Sequence, residues 1–201
     1  MMIDKFGVQD QINVQLIKNT VKIRKIIAVG GQPGTGKTTL FRKYMEGKNW
    51  IVGEPAKLVS ASYNVERDLY ILGKYEEGQT FSGTDRMSMA VQPEAIKFLK
   101  TLPSNAVVLF EGDRLFTASF LEHCNENYDT TMIYLKTNKE VRQERYKERG
   151  SNQDETWLRG RESKISNILT NMTLMFITET FENNNLEQQN AVYERILNYV
   201  R

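Results

Sequence analysis

The sequence predicts an α/β fold, a doubly wound parallel sheet flanked by helices. Short apolar runs, typical of strands that are buried on both faces of a parallel sheet, alternate with helical segments along the chain. The first of these strands enters a glycine-rich loop that opens a helix. No internal repeat, low-complexity tract or linker interrupts the 201 residues. We therefore expect residues 1–201 to form one domain around one core.

The predicted elements follow one another in a regular order. Strand-like apolar runs occupy residues 24–30, 49–52, 57–63, 69–75, 106–110 and 131–135. Helical composition occupies residues 38–45, 83–102, 115–125, 138–149, 151–181 and 186–200. The runs 57–63 and 69–75 surround a polar turn, so we predict a hairpin inserted over about residues 57–83 that suits substrate recognition. We also predict a helical lid over about residues 142–163.

Composition and charge exclude several kinds of protein. The net charge of +2 gives no general signature of nucleic-acid binding. With one cysteine, Cys124, and one histidine, His123, the chain has no internal disulfide and no zinc site of the usual spacing, so a metal must be held by oxygen. Residues 1–25 lack the apolar run of a secretion signal or a membrane span. We therefore predict a cytoplasmic protein with no membrane partner.

Residues 31–38 read GQPGTGKT, a complete Walker A phosphate loop between a predicted strand and a predicted helix. Its glycines let the backbone N–H groups converge on phosphate oxygens at the positive end of the helix dipole. Lys37 is expected to reach the β- and γ-phosphates, and the Thr38 hydroxyl is the expected Mg²⁺ ligand. The residues predicted to bind ATP or GTP are Gly31, Gln32, Pro33, Gly34, Thr35, Gly36, Lys37, Thr38 and Thr39.

The loop alone does not decide what happens to the γ-phosphate, because kinases, GTPase switches and motor ATPases share it. The guanine-reading motif Asn-Lys-x-Asp of the switches is absent from the sequence. A motor ATPase would need a larger, oligomerising module than 201 residues provide. These two observations favour a kinase.

Four motifs that follow the loop are shared with one group of kinases. They are residues 84–87 (TDRM), residues 109–114 (LFEGDR), residues 133–137 (IYLKT) with the arginines behind them, and residues 181–184 (FENN). In this order they resemble the small P-loop kinases, the group that contains adenylate, thymidylate and shikimate kinases, from Arg24 to Val200. The sequence departs from the group at Glu111, where Asp is usual. The last motif resembles the turn near the adenine.

Phosphoryl transfer requires cations on the γ-phosphate and an acid near the acceptor hydroxyl. Asp85 is the leading candidate to accept the hydroxyl proton, with an N-terminal helix cap as the alternative. Glu111 and Asp113 should face the Mg²⁺, with a structural salt bridge as the alternative. The cations expected at the lid are Arg145 and Arg149, beside Arg142, and their alternative is a solvated helix face. The residues expected to bind the acceptor are Thr84, Asp85, Arg86 and Arg114.

Other side chains have weaker expectations. Arg159 and Arg161 suit a DNA or phosphate ligand. Tyr63, Tyr70 and Phe81 suit either base stacking or core packing. Core packing is the more common role of such aromatic residues.

A narrower resemblance concerns residues 70–75 (YILGKY) and 81–93 (FSGTDRMSMAVQP). These segments resemble the phage-encoded kinases that phosphorylate 5-hydroxymethyluracil in DNA. The resemblance implies an ATP- and Mg²⁺-dependent transfer of the γ-phosphate to the hydroxymethyl oxygen, with DNA as the partner and the target base flipped out of its stack. A kinase of a free nucleotide or small metabolite, and an ATP-binding regulatory module with little turnover, remain the alternatives.

Overall fold

The fold is described from a computed structural model, which covers residues 24–76, 78–79, 81–148, 150 and 154–201. The described strands are β1 (Lys25–Gly31), β2 (Ile51–Ala56), β3 (Val59–Asn64), β4 (Leu69–Leu72), β5 (Val107–Glu111), β6 (Asp129–Lys136) and β7 (Thr178–Glu182). The described helices are α1 (Lys37–Met45), α2 (Val91–Thr101), α3 (Ala118–Asn127), α4 (Lys139–Glu148), α5 (Glu155–Leu169), α6 (Met172–Met175) and α7 (Leu186–Val200).

One sheet joins the seven strands in the order β2-β3-β4-β5-β1-β6-β7. The five strands from β4 to β7 in this order are mutually parallel, and β2 and β3 add an antiparallel edge. After β1 the chain forms β2, β3, β4 and β5 on one side of that strand, and it then crosses to form β6 and β7 on the other side. Such a reversal of strand order opens a crevice at the carboxyl ends of the strands, where ligands bind in open α/β sheets.

The core lies on both faces of the sheet, because successive side chains of a strand point to opposite faces. In β1, Ile26 and Ala28 belong to one buried cluster, and Ile27 and Val29 belong to the other. Helices α2 and α3 cover the first face, and α1 and α7 cover the second. The predicted doubly wound α/β fold is therefore confirmed. None of the described helices combines the length and the hydrophobicity that a membrane crossing requires.

The predicted hairpin is present, since β3 pairs antiparallel with β4 around a short 3₁₀ turn, Val65–Arg67. However, β4 also pairs parallel with β5, so the hairpin extends the central sheet. Its turn lies at the amino ends of the parallel strands, away from the phosphate loop. Tyr63 and Tyr70 stack on each other at 4.4 Å between ring centroids, and Tyr70 meets Phe98 of α2 edge-on. These two tyrosines pack against the sheet and do not line the crevice.

Two predicted helical segments are divided differently in the structure. Residues 83–102 form a 3₁₀ turn, Thr84–Arg86, and then α2, which begins at Val91 so that Pro93 falls in its first turn, where proline is tolerated. The prediction of helix was wrong for the end of residues 151–181, because Thr178–Glu182 is the edge strand β7. This strand pairs with β6, and that contact is distant in sequence.

Candidate active site

The phosphate loop connects β1 to α1 at the carboxyl edge of the sheet. Gly34 and Gly36 adopt left-handed conformations, with φ values of 78° and 88°. A Cβ atom at Gly36 would lie 2.7 Å from the Asn183 amide nitrogen, and one at Gly34 would lie 2.9 Å from the Tyr146 ring. Both positions therefore require glycine for backbone conformation and for space.

Side chains hold the loop from outside through its carbonyl oxygens. Tyr146 donates its hydroxyl to Pro33 O at 2.6 Å, Arg145 donates to Gly34 O at 3.0 Å, and Asn183 donates its amide to Thr35 O at 2.7 Å. Asn183 is fully buried in the turn after β7. With the carbonyl oxygens engaged on the outer side, the loop N–H groups can converge on a phosphate inside it.

Lys37 and Thr38 begin α1 at the inner side of the loop. The Lys37 ammonium donates to Gly31 O at 2.8 Å and to Gln32 O at 3.1 Å. The Thr38 hydroxyl donates to Glu111 Oε1 at 3.0 Å. Glu111 is the last residue of β5, which lies beside β1, so the sheet itself brings this carboxylate to the loop.

Glu111 is buried, with 1% of its surface exposed. Burial raises its pKa to about 7, and the nearby Lys37 charge opposes this shift. A hydroxyl and a carboxylate are the oxygen donors that Mg²⁺ prefers, so Thr38 and Glu111 fit the ion. Within the described residues, no group of three His, Cys, Asp or Glu side chains could hold a metal by itself. An ion here would therefore share its coordination with substrate phosphates.

Asp85 lies on the 3₁₀ turn next to the end of β5. Its carboxylate accepts a hydrogen bond from the Asp113 N–H. Burial raises the pKa of Asp85, and the charge of Asp113 raises it further. Gly112 has a φ of 103°, and a Cβ there would lie 2.8 Å from the Thr84 hydroxyl, so the turn packs directly on glycine. Thr84 itself is buried beside this glycine.

Asp113 has a different surrounding from Glu111. Its carboxylate forms an ion pair with Arg161 of α5 and lies 3.7 Å from the Lys164 ammonium. Lys164 also donates to the Asp113 carbonyl oxygen at 2.8 Å, and burial lowers the pKa of this lysine. Of the two carboxylates predicted as Mg²⁺ ligands, the structure brings Glu111 to Thr38 and directs Asp113 to α5.

The arginines predicted at the acceptor side both lie near the Asp85 turn. Arg86 forms an ion pair with Glu76 at 2.7 Å. Arg114 donates to the Met87 carbonyl oxygen at 3.3 Å. Each keeps part of its guanidinium on the wall of the crevice, where it can meet an anionic substrate group.

The predicted lid arginines divide into three cases. Arg145 contacts the phosphate loop from outside, through the Gly34 carbonyl oxygen as described above. Arg142 pairs with Glu162 of α5 at 3.9 Å, and its buried Nε atom has no hydrogen-bond partner among the described residues. Arg149 lies outside the described residues, as does part of the predicted lid.

A cavity of about 560 Å³ unites the phosphate loop with the Asp85 turn and α5. Its described lining consists of Gly31, Pro33, Gly34, Lys37, Thr38, Gln79, Phe81, Ser82, Asp85, Arg86, Glu111, Gly112, Asp113, Arg114, Tyr146, Trp157, Arg161 and Ile165. Sequence reasoning missed Tyr146, Trp157 and Ile165, and it also missed Lys164, which anchors α5. The spacing of Trp157, Arg161 and Lys164 places them on one face of a helix, which was the available signal.

The chain was compared with known protein families and with curated proteins. A family model described as P-loop Nucleotide Kinase3 matches residues 22–181, most of the chain. No curated protein matches the chain significantly. The family match agrees with the Walker A loop, the mostly parallel sheet and the carboxylate next to Thr38. The chain therefore belongs to the P-loop Nucleotide Kinase3 family and is a phosphotransferase.

Proposed function

We propose that this protein transfers the γ-phosphate of ATP to the hydroxymethyl oxygen of 5-hydroxymethyluracil in DNA. The observation that carries the proposal is one cavity lined both by Lys37 of the phosphate loop and by Asp85, a half-buried carboxylate. Asp85 lies within residues 81–93, one of the two segments whose sequence resembles the kinases of this modified base. A cavity of about 560 Å³ has the size of a site for a ligand beyond the phosphates alone.

The donor side holds the triphosphate through the loop N–H groups, Lys37 and the N-terminus of α1. Arg145, which donates to the Gly34 carbonyl oxygen from outside the loop, keeps the loop in the conformation that binds the phosphates. Mg²⁺, held by the Thr38 hydroxyl and the Glu111 carboxylate, would neutralise the phosphate oxygens when bound. Asp113 positions α5 through Arg161 and Lys164. Glu111 and Asp113 therefore have different roles, since Glu111 would bind Mg²⁺ and Asp113 pairs with α5.

The acceptor side places a hydroxyl near Asp85. The acceptor oxygen forms a bond to the γ-phosphorus while the bond to the ADP leaving group breaks and keeps its electron pair on ADP. The hydroxyl proton passes to Asp85, whose pKa is raised by burial and by the charge of Asp113, which makes this carboxylate a stronger base. Arg86 and Arg114 contact the acceptor's own phosphate, which in DNA is the backbone. Thr84 positions the turn that carries Asp85.

A second candidate is phosphorylation of a free nucleotide, which the family description favours. Arg86 and Arg114 would serve a nucleotide monophosphate as well as a DNA backbone. The two acceptors differ in length. DNA offers several backbone phosphates, and contacts to them add affinity that added salt weakens.

The test is a transfer assay with γ-labelled ATP and Mg²⁺. The acceptors are DNA containing 5-hydroxymethyluracil, matched DNA containing thymine, free nucleotides, and no acceptor. We expect label only in the DNA with the hydroxymethyl group and none with Lys37→Ala. Label in free nucleotides alone would replace the proposal by the second candidate. Nucleotide binding without transfer to any acceptor would indicate a regulatory module.

A further inference from the structure

Two large aromatic side chains stand exposed on the wall of the active-site cavity. Phe81 is 56% exposed and Trp157 is 37% exposed, although both rings line the cavity that contains Asp85. Exposed aromatic rings in a cavity that also carries convergent polar groups are suited to contact a ligand. Neither ring has a role in the transfer chemistry described above.

The segment that carries Phe81 is held in place from α1. Arg42 donates to the Ser82 hydroxyl at 2.9 Å and to the Gln79 carbonyl oxygen at 3.4 Å. Gly83 then pairs with Lys74 through a two-way backbone bridge. The backbone on both sides of Phe81 is thus anchored while its ring remains exposed.

Trp157 is held through its own helix. The Arg161 guanidinium lies one turn later on α5, 4.9 Å from the centre of the indole ring. Arg161 pairs with Asp113, and the Asp113 N–H donates to Asp85. The indole ring is therefore connected through three successive contacts to the Asp85 carboxylate.

We propose that Phe81 and Trp157 form the binding site for the acceptor base, a planar pyrimidine ring. The inference rests on the proposed function, because a base whose substituent reaches Asp85 must occupy the adjoining part of the cavity. Aromatic rings bind a base through its π-face, which tolerates any base, so selection of the hydroxymethyl group falls to Asp85. Arg161 keeps the indole ring in place and compensates the charge of Asp113.

The first experiment uses Trp157 as its own reporter. The chain has two tryptophans, and Trp50, which donates to the Met45 carbonyl oxygen, does not line the cavity. In a Trp50→Phe background, single-stranded DNA with 5-hydroxymethyluracil should quench the fluorescence of Trp157. An oligonucleotide of equal length in which every position is abasic should leave it unchanged. Equal signals from the two oligonucleotides would overturn the base site.

The second experiment separates the rings from the transfer chemistry. Phe81→Leu and Trp157→Leu should each raise the KM for the acceptor by about 5- to 100-fold, because stacking of one base on an aromatic ring has this magnitude. The KM for ATP should change little. Phe176→Leu is the matched control, since Phe176 is 82% exposed and lies away from the cavity lining.

The outcomes distinguish the two proposals. Transfer to the modified DNA with an unchanged acceptor KM in both ring variants would overturn the base site and leave the proposed function intact. Absence of transfer to that DNA in the wild-type protein would overturn the proposed function. In that case, quenching of Trp157 by free pyrimidine nucleotides, and its loss on Phe81→Leu, would still support the base site, and no quenching would overturn it.

Discussion

Glu111→Gln is expected to abolish transfer and to stabilise the folded protein in the absence of Mg²⁺. The wild-type carboxyl group is buried, and its pKa rises from 4.5 to about 7 on folding. Between these two values the folded state binds more protons than the unfolded state, so the free energy of unfolding falls as pH rises. The shift of roughly 2.5 units corresponds to about 3 kcal/mol at 1.36 kcal/mol per unit. A glutamine at this position does not ionise, so the variant does not lose this stability as pH rises. Its amide oxygen can still accept the hydrogen bond from the Thr38 hydroxyl.

The assay measures unfolding of both proteins at several pH values in EDTA. The stability contributed by the protonated group is complete below pH 4.5 and is lost as pH rises through 7. The free energy of unfolding of Glu111→Gln, relative to that of the wild-type protein, should therefore increase by about 3 kcal/mol between pH 4.5 and pH 7. For a domain of this size this corresponds to roughly 6–12 °C in Tm. Above pH 7 the difference should level off.

Two controls test whether the effect is specific to the Glu111 carboxylate. Glu126→Gln changes an exposed carboxylate of α3 and controls for the loss of one negative charge. Adding Mg²⁺ with a nucleotide should stabilise the wild-type protein more than Glu111→Gln, because only the carboxylate binds the ion as an anion. A Glu111→Gln difference that stays constant from pH 5 to 8 would refute the argument that this group is a buried acid.

Three further predictions concern the same site. Asp85→Asn should lower kcat by about 10²- to 10⁴-fold while ATP binding is retained. Steady-state kinetics measures kcat, and an ATP titration measures binding. An unchanged kcat would exclude Asp85 as the base. Gly36→Ala should destabilise the fold by about 1–3 kcal/mol in urea and weaken ATP binding, because alanine is strained at this φ. Asn183→Ala should remove the hydrogen bond to the loop and raise the KM for ATP, and an unchanged KM would show that the loop holds its shape alone.

The features predicted from sequence are those set by local patterns. The phosphate loop was readable because its glycines and Lys37 lie within eight consecutive residues. The central strands were readable because their apolar runs are buried on both faces. The edge strand β7 was missed because it is short and half exposed, and its partner β6 lies about 45 residues earlier in the chain.

The roles of Glu111 and Asp113 could not be separated from sequence, since both follow one buried strand. Glu111 is the last residue of β5 and keeps the orientation of the strand toward Thr38. Gly112 then takes a φ of 103°, so the chain turns before Asp113 and directs that side chain to α5. The position of α5 depends on the contact of Asp113 with Arg161 and Lys164, which are distant from it in sequence. No local sequence pattern predicts such a contact.

The pairing of Asp113 also connects the position of α5 to the chemistry at Asp85. Asp113 donates its N–H to Asp85, while its negative charge raises the pKa of the same group. Arg161 and Lys164 of α5 compensate that charge. Displacement of α5 would remove these two cations from Asp113 and would raise the pKa of Asp85 further. The helix that carries Trp157 into the cavity is therefore the same element that balances the negative charge beside the proposed proton acceptor.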